Sequence, residues 1–149
     1  MPPLGVYPGR VDDKGRLKLP VDIKDFLEKK QDEGFFATSF DERIARLYPM
    51  SEWKKTEKLL QEPGEDSESA EDLWFTAMDL GGNTVIDGQG RMLLPTELRR
   101  ALGFENQPVR LEYYRGYINV FSEQVYDERK LRARENRSDK LAAFKKKGL

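Results

Sequence analysis

Two segments of this chain place the same ionisable and turn-forming residues at the same spacing. Val11-Asp12-Asp13-Lys14-Gly15-Arg16-Leu17-Lys18-Leu19-Pro20 lies over Ile86-Asp87-Gly88-Gln89-Gly90-Arg91-Met92-Leu93-Leu94-Pro95 at a constant offset of 75. In each, an Asp precedes an Arg by four residues and a Gly stands directly before the Arg. An Asp opening a turn can accept hydrogen bonds from amides two or three residues on, and the Gly suits a backbone with positive φ. The planar guanidinium can pair bidentately with a phosphate or with a guanine edge, whereas a Lys offers only a point charge. The alternative is that each Arg bonds its own repeat's Asp and braces the turn.

Other chemistry is narrowed by what the chain lacks. It has no Cys and no His, which removes disulfides, thiolate and imidazole metal ligands, and Cys or Ser-His nucleophilic catalysis. The 27 Asp and Glu among 149 residues form no evident cluster and read as a solvated surface. The expectation is a non-enzymatic protein with no metal, cofactor or small-molecule substrate. Met1-Pro2-Pro3-Leu4-Gly5 contains no basic region leading into an apolar run, and no window is long and apolar enough to span a bilayer, so a cytoplasmic protein is expected. The formal charge of -1 hides an asymmetry. Residues 129–149 hold nine Lys or Arg against Glu135 and Asp139, and the preceding residues are correspondingly acidic. Any affinity for nucleic acid must therefore rest on local display of charge rather than on the overall balance.

The elements that position the two turns also repeat. Val11 or Ile86 ends a short β run, the turn follows, Leu17 to Leu19 or Met92 to Leu94 resumes a strand, and Pro20 or Pro95 stops it and opens a helix. Ile23, Phe26 and Leu27 give the first helix an apolar face. Leu98, Ala101 and Leu102 do so for the second, which leaves Arg99 and Arg100 on its open side and Gly103 as its stop. Asp22-Ile23, Lys24 and Leu27 lie over Glu97-Leu98, Arg99 and Leu102. Strands are predicted near Phe35 to Phe40 and Ile44 to Tyr48, then Val109 to Tyr114 and Tyr117 to Phe121, the last two joined through Arg115-Gly116. A weaker echo sets Leu47-Tyr48-Pro49 and Trp53 over Val120-Phe121-Ser122 and Tyr126.

Each repeat thus reads β-turn-β-helix-β-β, in a mainly β, α+β chain. Residues 1–60 form the first repeat with a following helix over Glu52 to Gln61. Residues 61–80 form an acidic loop, QEPGEDSESAED, and a connecting helix with a Leu73, Trp74, Ala77, Met78, Leu80 stripe. Residues 81–128 form the second repeat and 129–149 a basic tail, expected to be a solvated helix, a DNA arm or a segment that docks on a neighbouring subunit.

The doubled D-x-x-G-R-L/M-x-L-P pattern, with a short helix and two strands after each copy, resembles the tandem AbrB-like halves of MraZ transcriptional regulators; IDGQGRMLLPTELRRALGF is especially close. The resemblance covers about residues 4 to 130. It implies a double-psi, swapped-hairpin β-barrel with internal pseudo-twofold symmetry, assembly into a ring-shaped homo-oligomer, and binding to short direct repeats in double-stranded promoter DNA at the nucleoid. A repressor of division and cell-wall genes, including its own promoter, is the implied role. The DNA-facing surface would comprise Asp12, Lys14, Gly15, Arg16 and Lys18 in one copy, Asp87, Gly90 and Arg91 in the other, with Arg99 and Arg100 beside them. An antitoxin-like or other protein-interaction module on the same fold is the competing reading, since fold alone does not settle function.

Overall fold

The computed structural model describes residues 1–30 and 33–149. In chain order the elements are β1 Val6–Val11, β2 Arg16–Lys18, α1 Val21–Glu28, β3 Phe35–Ser39, β4 Ile44–Pro49, α2 Met50–Gln61, α3 Ser67–Leu80, β5 Gly82–Thr84, β6 Arg91–Leu93, α4 Thr96–Leu102, β7 Pro108–Tyr114, β8 Tyr117–Ser122, α5 Glu123–Arg134 and α6 Arg137–Lys145. The eight strands form one antiparallel sheet in the order β5-β3-β4-β8-β7-β1-β2-β6. Its two ends meet where Ile86, two residues past β5, bridges Met92 of β6, and where the Thr84 hydroxyl donates to the Leu93 carbonyl at 2.7 Å. The sheet is thereby a nearly closed barrel, and closure protects the edges that an open sheet would expose.

The register follows from the repeat. Where β2 meets β6, Leu17 stands opposite Met92, the residue equivalent to it in the second copy, and Arg16 and Lys18 face Leu93 and Arg91. A local twofold axis therefore passes through the Leu17–Met92 pair. It leaves the barrel between β4 and β8, where Arg46 faces Asn119. Either side of the axis, strands are exchanged: β1 of the first repeat pairs with β7 of the second, and β5 of the second pairs with β3 of the first. Neither repeat can satisfy its own strand amides, so the two fold as one body. Their apolar faces accordingly make one core, with Val11, Leu17, Ile23 and Phe35 of the first repeat buried among Met92, Leu98, Val109 and Ile118 of the second.

The local chemistry expected of the repeats is present. Gly15 and Gly90 take φ +82 and +74, Gly103 ends α4 at φ +69, and Arg115-Gly116 turn the β7–β8 hairpin at φ +48 and +97. A primed turn of this kind matches the right-handed twist of its strands. Pro20 and Pro95 stand immediately before α1 and α4. Trp53 is buried against Phe36 and Tyr48, with Trp74 of α3 stacked beside it at 6.1 Å, so both tryptophans act in packing.

Four expectations require correction. The segment read as a loop from Gln61 to Asp72 is largely helical, because a single 3-10 turn, Gly64–Asp66, leads directly into α3 at Ser67. Acids near a helix N-terminus complement its dipole, and Asp66 at the N-cap position and Glu68 in the first turn stand there. Of the stripe on α3, Ala77 and Leu80 are buried, but Leu73 and Met78 are exposed. Ile86 makes only the isolated bridge and ends no strand, since β5 stops at Thr84. On α4, Arg99 rather than Ala101 takes the inward position beside Leu98 and Leu102, and Ala101 faces solvent.

Candidate nucleic-acid interface

The two turns have the same geometry. Asp12 Oδ1 accepts from the amides of Lys14 (3.0 Å) and Arg16 (2.8 Å), and its Oδ2 accepts from Arg16 Nε (2.8 Å). Asp87 Oδ1 accepts from the amides of Gln89 (2.8 Å) and Arg91 (2.9 Å), and its Oδ2 from Arg91 Nε (2.9 Å). Chiefly through the Arg16 amide, the Asp12 carboxyl is held below the usual carboxylate range; the Arg91 amide does the same for Asp87. Backbone bonds close each loop, from Gly15 N to Asp12 O and from Gly90 N to Asp87 O.

Bracing and display are thus combined in one side chain. Each Asp holds its Arg through Nε, while the terminal Nη1 and Nη2 of Arg16 and Arg91 have no hydrogen-bond partner among the described residues. Those two nitrogens form the fork that fits a phosphate or a guanine edge. Arg16 and Arg91 line one shallow pocket together with Asp87, Asn83 and Leu93.

Pairing across the sheet adds charge to this surface. Arg10 stands opposite Lys18, and Lys18 opposite Arg91, so three cations form a row across β1, β2 and β6. Leu17 and Met92 point inward, which by strand alternation turns Arg16, Lys18 and Arg91 outward. Arg10 is exposed and its guanidinium donates to the Asn106 carbonyl (3.0 Å) and Oδ1 (3.2 Å). Arg10 lies outside the residues expected from sequence, although pairing Val11 with Leu17 around the turn would have set it opposite Lys18.

The other expected residues separate into two groups. Lys14 is exposed on the first turn, and Arg100 is exposed beside Glu97 at 3.5 Å. Arg99 lies elsewhere: it is 9% exposed, contrary to its expected place on the open side of α4. Its Nη1 donates to the Lys14 carbonyl at 3.3 Å and its Nη2 to Thr96 Oγ1 at 3.1 Å, while Nε stands 3.4 Å from Glu105 without hydrogen-bond geometry. Arg99 underlies the first turn from the second repeat. Lys18 reciprocates by donating to the carbonyl of Gln89, the residue equivalent to Lys14. Lys24, equivalent to Arg99, lies under the second turn, with its Cδ 3.0 Å from where a Cβ on Gly90 would be. Each turn is therefore clasped by a cation from the opposite repeat.

Comparison with known proteins agrees with this doubled architecture. The chain is 42% identical over 98 residues to the transcriptional regulator MraZ of Koribacter versatilis, which covers 65% of this chain and 67% of that protein. It is 33% identical over 122 residues to MraZ of Thermomicrobium roseum, covering 80% of each, and 30% identical over 124 residues to MraZ of Thermus thermophilus, covering 82% and 83%. The chain belongs to the MraZ family. No protein-family model matches it. The α+β barrel with tandem AbrB-like halves is the fold of an MraZ protein, a non-enzymatic family. Among the described residues no helix is long and apolar enough to cross a membrane, and no group of three or more acids is placed to hold a metal ion.

Proposed function

We propose that the chain is a DNA-binding transcriptional regulator whose contact surface is the outer face of β1, β2 and β6 with its two Asp-x-x-x-Arg turns. The observation that carries this reading is the Arg10–Lys18–Arg91 row flanked by Arg16, in which the guanidinium ends of Arg16 and Arg91 make no hydrogen bond among the described residues. The names of its relatives support the same reading. Lys14, Lys18 and Arg100 supply phosphate contacts, while Asp12, Asp87, Gly15 and Gly90 hold the turns in shape. Arg99 belongs with the supports, because its guanidinium is committed under the first turn.

The regulator acts as a ring-shaped homo-oligomer on direct repeats in promoters. It represses division and cell-wall genes together with its own, at the nucleoid. Several weak half-sites presented by one assembly gain affinity through effective concentration. Capture of sheared genomic DNA on the purified full-length protein tests the whole reading. Fragments from upstream of its own gene should be enriched, and transcription from them should fall when the protein is added. Recovery no better than random fragments at the same salt would overturn DNA-specific function, and a rise in transcription would overturn repression.

A further inference from the structure

Between Gln61 and Asp72 the chain carries Glu62, Glu65, Asp66, Glu68, Glu71 and Asp72, with no Lys or Arg. All six are exposed, and none makes a salt bridge among the described residues. Glu71 lines an apolar hollow between the end of α2 and α3, formed with Leu60, Pro63, Ala70, Trp74, Phe75 and Met78, and the other five lie on the same stretch of chain beside its lining residues. Phe75 is 70% exposed there. An exposed apolar patch rimmed by polar residues is the signature of an interaction site.

The opposite kind of surface lies on α6. Leu141 and Phe144, three residues apart, share one helical face, and both are exposed. Around them stand Arg137, Lys140, Lys145, Lys146 and Lys147, which form no salt bridge among the described residues. No residue of α6 is buried. One chain thus presents an apolar hollow with acids beside it and an apolar helix face with cations around it, each uncovered among the described residues.

We propose that α6 of one copy docks in the α2–α3 hollow of the next. Leu141 and Phe144 pack on Phe75 and Met78, and the tail cations face Glu65, Glu68 and Glu71. The two surfaces differ, so the contact is heterologous and repeats from copy to copy until the ring closes. The inference rests on the ring assembly proposed above and names the surfaces that build it.

Two triple charge reversals, followed by sedimentation at several salt concentrations, test it. One variant carries Lys145→Glu, Lys146→Glu and Lys147→Glu; the other carries Glu65→Lys, Glu68→Lys and Glu71→Lys. All six positions are exposed, so circular dichroism should show unchanged folding. Each variant alone should assemble about tenfold or more weakly than the natural chain, a loss of about 1.4 kcal/mol. An equimolar mixture should regain the large species, because each tail then meets a hollow of opposite charge on the other variant. Contact within one chain would give no recovery on mixing, and that result would overturn the proposal. A natural chain that sediments as a monomer would overturn ring assembly itself. A natural chain that assembles, with both variants assembling equally well, would overturn only the docking surfaces. Loss of DNA affinity on tail reversal with assembly unchanged would make α6 a DNA arm and likewise overturn the proposal.

Discussion

At Asp12 and Asp87 a single carboxylate performs two tasks, shaping a turn and aiming an Arg. Both carboxyls titrate below their unfolded range, so their contribution to stability is present above the unfolded aspartate pKa and is lost as pH falls through the lower folded value. Asp12→Asn with Asp87→Asn removes that titration while keeping side-chain shape. Thermal melts of the double variant should therefore show a lower melting temperature at neutral pH and a flatter acid limb than the natural chain. Equal acid limbs would mean that the two turns do not govern acid sensitivity. Arg16 and Arg91 make partly exposed ion pairs with side-chain exposures of 30% and 25%, and solvent-screened pairs of this kind add little to stability. Arg16→Ala with Arg91→Ala should thus fold and assemble normally. The slope of log affinity against log salt should become shallower by about 0.9 for each phosphate that is no longer neutralised. If base edges are read instead, about 1 to 3 kcal/mol of discrimination at each base read should vanish with little change in slope. Binding as tight as that of the natural chain at the same salt would remove both turns from the interface.

The two turn elements look alike but rest on different supports, and this difference has a measurable consequence. A Cβ on Gly15 would land on the buried Arg99 guanidinium, whereas a Cβ on Gly90 would meet the flexible stem of Lys24 at 3.0 Å and the Lys18 Nζ at 3.5 Å. Positive φ alone costs a non-Gly residue about 1–3 kcal/mol. Gly15→Ala should therefore destabilise more than Gly90→Ala, and Gly15→Val and Gly90→Val should both be worse still. Denaturant midpoints in a double-mutant cycle check the contact. Arg99→Ala should lower stability by itself yet reduce the extra cost of Gly15→Ala, and strict additivity would show that Arg99 does not underlie the turn. Because its guanidinium is buried beneath the first turn, Arg99→Ala should leave the salt slope of DNA binding unchanged at protein concentrations where the protein is folded.

At the scale of the molecule, strand exchange makes each repeat dependent on the other. Residues 1–80 expressed alone would leave β1 without β7 and β3 without β5, and the apolar core of the first repeat would lose its cover. Neither 1–80 nor 81–149 should show cooperative unfolding by circular dichroism. A mixture of the two should regain it, as the pairings between β1 and β7, β3 and β5, and β4 and β8 re-form. Cooperative melting of either fragment alone would contradict the exchange as the basis of stability. The same long-range pairings place folding of the intact chain in the slower range of small domains, on the order of milliseconds to seconds.

The repeat, the turns, the breaks at Pro20 and Pro95, the αL stop at Gly103 and the Arg115-Gly116 hairpin were all legible in the sequence. Each rests on backbone preferences within about ten residues of chain, and a doubled pattern declares itself by self-comparison. What α3 buries was not legible, because helical spacing gives the apolar stripe but not which of its residues meet the barrel: Ala77 and Leu80 are buried while Leu73 and Met78 are exposed. Nor was the inward position of Arg99 on α4, since helical spacing alone assigns an Arg to solvent. Only the packing of the second repeat against the first turn offers that guanidinium the Lys14 carbonyl. Likewise the Arg10–Lys18 pair is local to one hairpin, but Lys18 reaches Arg91 only through the junction of β2 with β6. Local residues decide the shape of each turn. The assembly of one charged face from two turns 75 residues apart is decided by the tertiary structure, because only the exchange of strands between repeats brings those backbones into hydrogen-bonding distance.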